Sequence, residues 1–188
     1  YILDKKDYQV VSLDDKEIEH WTIDAILAAS DSTVWVSAGN RIFHYDTEGY
    51  RQGTYPVKWN DELRSISQIY EDSHSNIWIA QWRGGLFRFD PEQNDFISVS
   101  WPFNESPTCF IEDVFSNGYW VATLGKGIVN YDPEKEKFTI NTMPGEPNYS
   151  SRHILWMVQD ATRKMIWTIT TDSLFAYETA ENGRLLPM

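Results

Sequence analysis

The residues of this chain with the clearest potential for chemistry are aromatic and basic side chains near predicted turns. Aromatic faces pack against the C–H surfaces of sugars, while guanidinium, ammonium and imidazole groups donate hydrogen bonds around them. Trp82-Arg83 is the strongest pair, because small residues would serve its turn equally well. We predict a ligand-binding surface, with a stacked Trp–Arg surface pair as the alternative, from eight residues: Trp59, Arg64, Trp82, Arg83, Trp101, Lys126, Arg152 and His153.

Adjacent carboxylates are the second feature that could do chemistry, since a pair of acids flanks the scissile bond in most glycosidases. Glu71-Asp72 and Glu112-Asp113 are such pairs. Neighbouring residues of a strand point to opposite faces, so neither pair can flank one bond, and we interpret them as turn caps and solvated acids. The four histidines lack metal-ligand spacing, and no nucleophile, phosphate or dinucleotide motif occurs. The sequence therefore predicts no enzymatic activity, no cofactor and no metal site in this segment.

A repeated pattern must position these side chains. A tryptophan that opens a short apolar run recurs every 42 to 47 residues, and an aromatic residue followed by an acid closes a later run at a similar interval. Short alternating strands at such a period are typical of β-propeller blades. We interpret the tryptophans as packing residues that fill the wedge between one blade and the next. They are Trp35, Trp78, Trp120 and Trp167, and the acids are Asp46, Asp90, Asp132 and Glu178.

The second copy shows the predicted blade in most detail. Apolar runs at 66–69, 77–80, 86–89 and 96–99 predict four strands, since β-branched and aromatic residues dominate them. Gly84-Gly85 predicts a tight hairpin that needs positive φ, and Asp90-Pro91 predicts the next turn. No helical period competes. The chain is predicted to be all-β, with about four blade equivalents in one segment, 1–188: the end of a preceding blade at 1–13, then repeats at 14–58, 59–101, 102–143 and 144–188.

The strings Ile69-Tyr70-Glu71-Asp72, Asn76-Ile77-Trp78-Ile79-Ala80 and Gly84-Gly85-Leu86-Phe87, closed by Phe89-Asp90, resemble the two-component regulator propeller repeat. The similarity is strongest in the second and third copies, while the first and fourth lack the glycine-rich turn. The resemblance implies a section of a seven-bladed ring in the periplasmic sensor of a bacterial hybrid two-component system, whose parent chain is a sensor histidine kinase. It also implies an oligosaccharide ligand. A protein-interaction or dimerisation scaffold and a propeller-based glycan lyase or hydrolase stay open as alternatives.

Net charge and chain organisation limit which binding partners we expect. A net charge of −12 argues against nucleic acid and against anionic membrane surfaces, while the basic cluster favours an acidic glycan. The lone Cys109 is interpreted as a small buried hydrophobe. Leu3-Asp4 aligns with Phe89-Asp90, so we expect a piece of a longer protein that begins within a repeat. Its expected partners are the remaining blades of that protein and a second copy; alternatively, Tyr8–Leu13 completes the last blade and closes a four-bladed ring.

Overall fold

Strands and the turns between them make up the described part of the chain. The structure is a computed structural model, and it describes residues 2–3, 10–11, 15–59, 62–63, 65–141, 153–180 and 185–188. Four antiparallel sheets of four strands each follow one another along the sequence. Within the described ranges there is no helix, and hence none that could span a membrane. The predicted all-β fold is confirmed.

The first half of the chain contains two short hairpins and two of the sheets. The first hairpin pairs β1 (Ile2–Leu3) with β2 (Val10–Val11). The first sheet contains β3 (Ile23–Ala28), β4 (Val34–Ala38), β5 (Arg41–Tyr45) and β6 (Arg51–Pro56). A second hairpin, β7 (Lys58–Trp59) and β8 (Glu62–Leu63), leads to the second sheet. That sheet contains β9 (Ile66–Glu71), β10 (Ile77–Gln81), β11 (Leu86–Asp90) and β12 (Asp95–Val99).

The second half repeats the same four-stranded unit twice. The third sheet contains β13 (Pro107–Glu112), β14 (Tyr119–Thr123), β15 (Ile128–Asp132) and β16 (Lys137–Ile140). The fourth contains β17 (Trp156–Asp160), β18 (Met165–Ile169), β19 (Leu174–Thr179) and β20 (Leu185–Pro187). In each sheet every strand pairs with its neighbour in sequence, which is the meander of a propeller blade.

The alternative in which Tyr8–Leu13 completes the last blade is wrong. Val10 and Val11 are the described part of that segment, and they pair with β1. The outer strand of the fourth sheet is β20, which pairs with β19. The fourth blade therefore takes its last strand from the C-terminal end of the chain.

Three of the four repeated tryptophans pack between consecutive sheets, as the sequence predicts. Trp35 of the first sheet lies 5.0 Å from Phe89 of the second, measured between ring centroids. Trp78 lies 4.9 Å from Phe110 of the third sheet in the same way. Trp120 is fully buried in a cluster that includes residues of the fourth sheet. Each ring fills the wedge between two blades, where burial of an aromatic side chain contributes most to packing.

The two outer faces of the array differ. On the first sheet, a cluster on the face opposite Trp35 is buried, and Ile18 of the preceding segment packs against it. Ile26 of β3 lies on the same face and is exposed. Asp15 accepts a hydrogen bond from the Tyr45 hydroxyl at 2.9 Å, and Glu17 pairs with Arg41 at 3.3 Å. Residues 15–22 therefore cover the part of this face that β4 and β5 form.

The outward face of the fourth sheet is apolar and open. Residues directly opposite each other in neighbouring strands share a face, and the register pairs Trp156 with Ile169, Val158 with Trp167, and Ile169 with Leu174. Of these, Trp156, Val158, Ile169 and Leu174 are exposed. Trp167 stays half-exposed here, because no described strand covers it as the next sheet covers the other three tryptophans.

Candidate functional site

The turns after the second strand of each sheet lie at one end of the array, and three of the eight predicted site residues, Trp82, Arg83 and Lys126, belong to them. Trp82 and Arg83 form the turn between β10 and β11, and Trp82 is 41% exposed. The Trp82 amide donates a hydrogen bond to the Ser65 carbonyl at 2.8 Å, and the Arg83 amide donates to the Ser106 hydroxyl at 2.9 Å. The backbone of this turn is therefore fixed on two sides while its aromatic ring remains in water.

The conformation of this turn corrects the sequence prediction for its glycines. Positive φ falls on Arg83, at 52°, and not on Gly84 or Gly85. Gly84 is required for space instead: a Cβ there would lie 2.4 Å from Oε1 of Gln81. Gln81 is fully buried and its Nε2 donates to the Val57 carbonyl at 2.8 Å, so it is held in place. In the third sheet the prediction is right, since Gly127 has a φ of 71°.

Backbone contacts connect the Trp82-Arg83 turn to the next two sheets. Ser106, whose hydroxyl accepts from Arg83, also accepts through its carbonyl from the Leu124 amide at 3.0 Å. Leu124 forms an isolated β-bridge with His153, which leads into the fourth sheet. Three of the predicted residues, Arg83, Lys126 and His153, therefore belong to one continuous set of loops across three blades.

Lys126 is not an isolated cation at this end. Its Nζ pairs with Glu105 Oε1 at 3.1 Å, and both side chains are partly exposed. The ion pair joins the turn between β14 and β15 to the loop that enters the third sheet. It reduces the local positive charge that the sequence alone predicted.

Trp101 lies in the core and is not available to a ligand. Only 6% of its surface is exposed, and its Nε1 donates to the Glu105 carbonyl at 3.0 Å. Its ring packs edge-on against Phe103 and Phe138, with centroids 5.0 and 5.1 Å away. Its place before the first strand of a blade resembled a ligand loop in sequence, but Phe103 of the same loop and Phe138 of the outer strand β16 pack against it.

The remaining predicted residues are not placed by the structure. Arg64 and Arg152 lie outside the described residues. Trp59 is described only as part of β7. Of the original eight, the structure places Trp82, Arg83, Lys126 and His153 on the connected loops of this end.

The carboxylate pairs hold blades together. Asp72 is 5% exposed and accepts hydrogen bonds from Trp78 Nε1 at 2.8 Å and from the Tyr119 hydroxyl of the next sheet at 2.7 Å. It also caps its own turn through the amides of His74 and Asn76. Burial alone would raise the pKa of Asp72, but these hydrogen bonds outweigh it, so the pKa lies below its usual value. The prediction of a turn cap is right, whereas that of a solvated acid is wrong for Asp72.

Glu71 and Glu112 form matching contacts that the sequence analysis missed. Glu71 accepts from the amide and hydroxyl of Ser30, at 2.7 and 2.5 Å, in the turn of the preceding sheet. Glu112 accepts from the amide and hydroxyl of Ser73 at 2.7 and 2.6 Å. Gln159 continues the series by accepting from the Val114 amide at 3.2 Å. The signal for these contacts was the recurrence of an acid or amide near the end of each first strand.

No catalytic arrangement is evident in the described ranges. Among those residues, no group of three or more His, Cys, Asp or Glu is placed to hold a metal ion. Cys109 is fully buried, and burial raises the pKa of its thiol to about 12, so it stays protonated at neutral pH. This agrees with the interpretation of Cys109 as a small core residue.

Comparison with known proteins shows a shared fold at low sequence identity. The extracellular domain of a protein assigned as the hybrid two-component system BT4673 from B. thetaiotaomicron matches with a TM-score of 0.68 and 18% identity, over 84% of this chain and 21% of that one. The corresponding domain of BT3049 from the same organism matches with a TM-score of 0.58 and 21% identity, over 77% and 18%. Virginiamycin B lyase from Staphylococcus aureus matches with a TM-score of 0.71 and 15% identity, over 90% and 56%.

These similarities show the propeller-blade fold, and they show neither a ligand nor an activity. No protein-family model matches the chain, and no curated protein matches it in sequence. The resemblance to two-component regulator propeller repeats is confirmed at the level of the fold, since the extracellular domains of two hybrid two-component systems share it. The chain spans about one fifth of the length of each of those domains. An enzyme shares the same blades, so the fold does not by itself separate a sensor from a lyase.

Proposed function

We propose that the chain is a ligand-binding section of an extracytoplasmic propeller sensor in a bacterial hybrid two-component system. The observation that carries the proposal is the Trp82-Arg83 turn, which holds a large aromatic ring in water on a backbone fixed by Ser65 and Ser106. The extracellular domains that share the fold support the sensor class. In this proposal the segment itself performs no reaction, and the kinase belongs to the parent chain.

The proposed ligand is an oligosaccharide. The exposed indole of Trp82 offers an apolar face of the kind that covers sugar C–H groups, and the guanidinium of Arg83 adds donors beside it. Because the turn is already fixed in the free protein, binding does not have to order it, which reduces the entropic cost. Arg83 together with the Lys126–Glu105 pair keeps a net positive charge in an acidic chain, and this favours an acidic glycan.

Calorimetric titration with two defined glycans tests the proposal. We expect saturable binding of oligogalacturonides, which are acidic, and weaker binding of neutral xylo-oligosaccharides. Trp82→Ala should weaken binding about tenfold, equivalent to about 1.4 kcal/mol, and chromatography should recover the glycan at its original length. Trp156→Ala is the matched control, because that tryptophan is similarly exposed but lies on the fourth sheet. Absence of saturation, or equal effects of the two variants, would count against this site.

An interaction scaffold is the second candidate function. It is favoured by the exposed apolar face of the fourth sheet, since large patches of this kind mark protein contacts on soluble domains. A scaffold of this kind would bind neither glycan. Shortening of the oligosaccharide during the titration would instead favour the lyase or hydrolase.

A further inference from the structure

A groove between the second and third sheets lies apart from the loop end described above. It has a volume of about 430 Å³ and runs along the outer strands β12 and β16. Trp78 forms part of its lining, together with Tyr131 and Phe138 of the third sheet and Val99 of the second. An opening of this size is typical of sites that enclose a small group.

The equivalent position between the first and second sheets is filled by a tyrosine of the chain itself. The ring of Tyr55 lies 5.9 Å from Trp35, 5.3 Å from Phe89 and 5.8 Å from Phe96, measured between centroids. Its hydroxyl donates to Asn94 Oδ1 at 3.0 Å. Tyr55 therefore occupies an aromatic pocket with one hydrogen-bond acceptor at its end.

The strand register shows that the two positions correspond. Tyr55 lies near the C-terminal end of β6, the fourth strand of the first sheet, and pairs with Ile42. Val99 lies at the C-terminal end of β12, the fourth strand of the second sheet, and pairs with Leu86. Val99 therefore stands where the first sheet has a tyrosine.

The walls correspond as well. Tyr131 pairs with Phe138 in the third sheet as Phe89 pairs with Phe96 in the second. Glu136 precedes the outer strand of its sheet as Asn94 does, and the two have φ values of 49° and 51°. The groove therefore has the aromatic walls and the terminal acceptor of the Tyr55 pocket, and it lacks the ring.

We propose that this groove binds the side chain of a tyrosine presented by another polypeptide. The ring lies against Tyr131 and Phe138, and its hydroxyl donates a hydrogen bond to the carboxylate of Glu136. A polypeptide is favoured over a free phenol because residues of β12 line the groove, and β12 is the outermost strand of its sheet. Its unpaired backbone groups can bind an extended chain alongside the ring.

One difference shifts the incoming ring outward. The Tyr55 hydroxyl lies 2.3 Å from where a Cβ on Gly53 would be, so that ring needs glycine beneath it. Gly53 pairs with His44, and the equivalent partner of Arg88 is Ile97. Ile97 is exposed and lines the groove, whose volume is the space left with this side chain present.

The test is a binding titration with a peptide copied from this chain. The probe is an acetylated, amidated peptide with the sequence of residues 51–57, which carries the tyrosine of position 55. We expect saturable binding followed by NMR, about tenfold weaker when phenylalanine replaces that tyrosine, because a hydrogen bond to a carboxylate is lost. Glu136→Ala should weaken binding of the tyrosine peptide to the same degree and leave binding of the phenylalanine peptide unchanged. Glu134→Ala, in the same turn but away from the groove, should change neither.

Two further variants block the groove by different routes. Ile97→Trp adds bulk at an exposed strand position, and Val99→Tyr combined with Ile97→Gly recreates the Tyr55–Gly53 pair; either should abolish binding. Binding that survives both variants would overturn the proposal, as would equal affinity for the tyrosine and phenylalanine peptides. If p-cresol binds as tightly as the peptide, the groove recognises free phenols and the assignment of a polypeptide partner is wrong.

Discussion

Replacing Asp72 with alanine is expected to destabilise the array more than any other single change of an acid in the second sheet. The carboxylate accepts from two buried donors, Trp78 Nε1 and the Tyr119 hydroxyl, and these donors belong to different sheets. Alanine leaves both without that acceptor. At about 1–3 kcal/mol for each unsatisfied buried group, the loss is roughly 2–6 kcal/mol. Because the free energy of unfolding of a small domain is about 5–15 kcal/mol, this loss is a large share of the total stability.

The assay is urea unfolding followed by tryptophan fluorescence and circular dichroism, compared with Asp90→Ala. Asp90 also caps a turn, accepting from the Glu92 and Gln93 amides, but the contacts it makes stay within that exposed turn. We expect a clearly smaller loss for Asp90→Ala. A double-mutant cycle of Asp72→Ala with Tyr119→Phe should show coupling, since the two groups are in direct contact. Equal losses for Asp72→Ala and Asp90→Ala, together with zero coupling, would refute the reasoning.

Three further predictions follow from the same contacts. The pKa of Asp72 is lowered in the folded state. The stability that this carboxylate contributes is therefore complete above its unfolded pKa and is lost as pH falls through its folded pKa. Unfolding measured at a series of acidic pH values should show this loss in the wild type and not in Asp72→Ala. Gly84→Ala should cost about 1–3 kcal/mol through overpacking against Gln81, measured by thermal unfolding, and the cost should disappear in a Gln81→Ala background. The homo-oligomer remains a prediction, and we expect a second copy to pack on the open face of the fourth sheet, because residues 15–22 cover part of the outer face of the first sheet. Leu174→Glu should then yield a monomer in light scattering while Ile26→Glu, at an exposed position of the first sheet, should not; a monomeric wild type would contradict the prediction.

The sequence was sufficient to predict the strands and those contacts that recur in each repeat. Alternation of apolar residues defines strands locally, and Asp90-Pro91 carries the chemistry of its own turn. The wedge role of Trp35, Trp78 and Trp120 was also predictable, since a large ring at a fixed interval has one recurrent environment in a propeller. For the candidate site, the sequence located the exposed Trp82-Arg83 turn but could not distinguish it from Trp101, which has a similar setting in sequence.

Only the tertiary structure decided which residues of neighbouring blades meet. The Tyr119 hydroxyl reaches Asp72, Glu112 accepts from Ser73, and a groove remains where Val99 replaces a tyrosine. Contacts between sheets depend on the twist and spacing of two sheets whose residues lie about 40 positions apart. A periodic sequence pattern gives the repeat length, but it does not show which residue of the next sheet each side chain contacts. The sequence by itself therefore determined the blades, whereas burial, hydrogen bonding and open space between them were set by how adjacent blades pack.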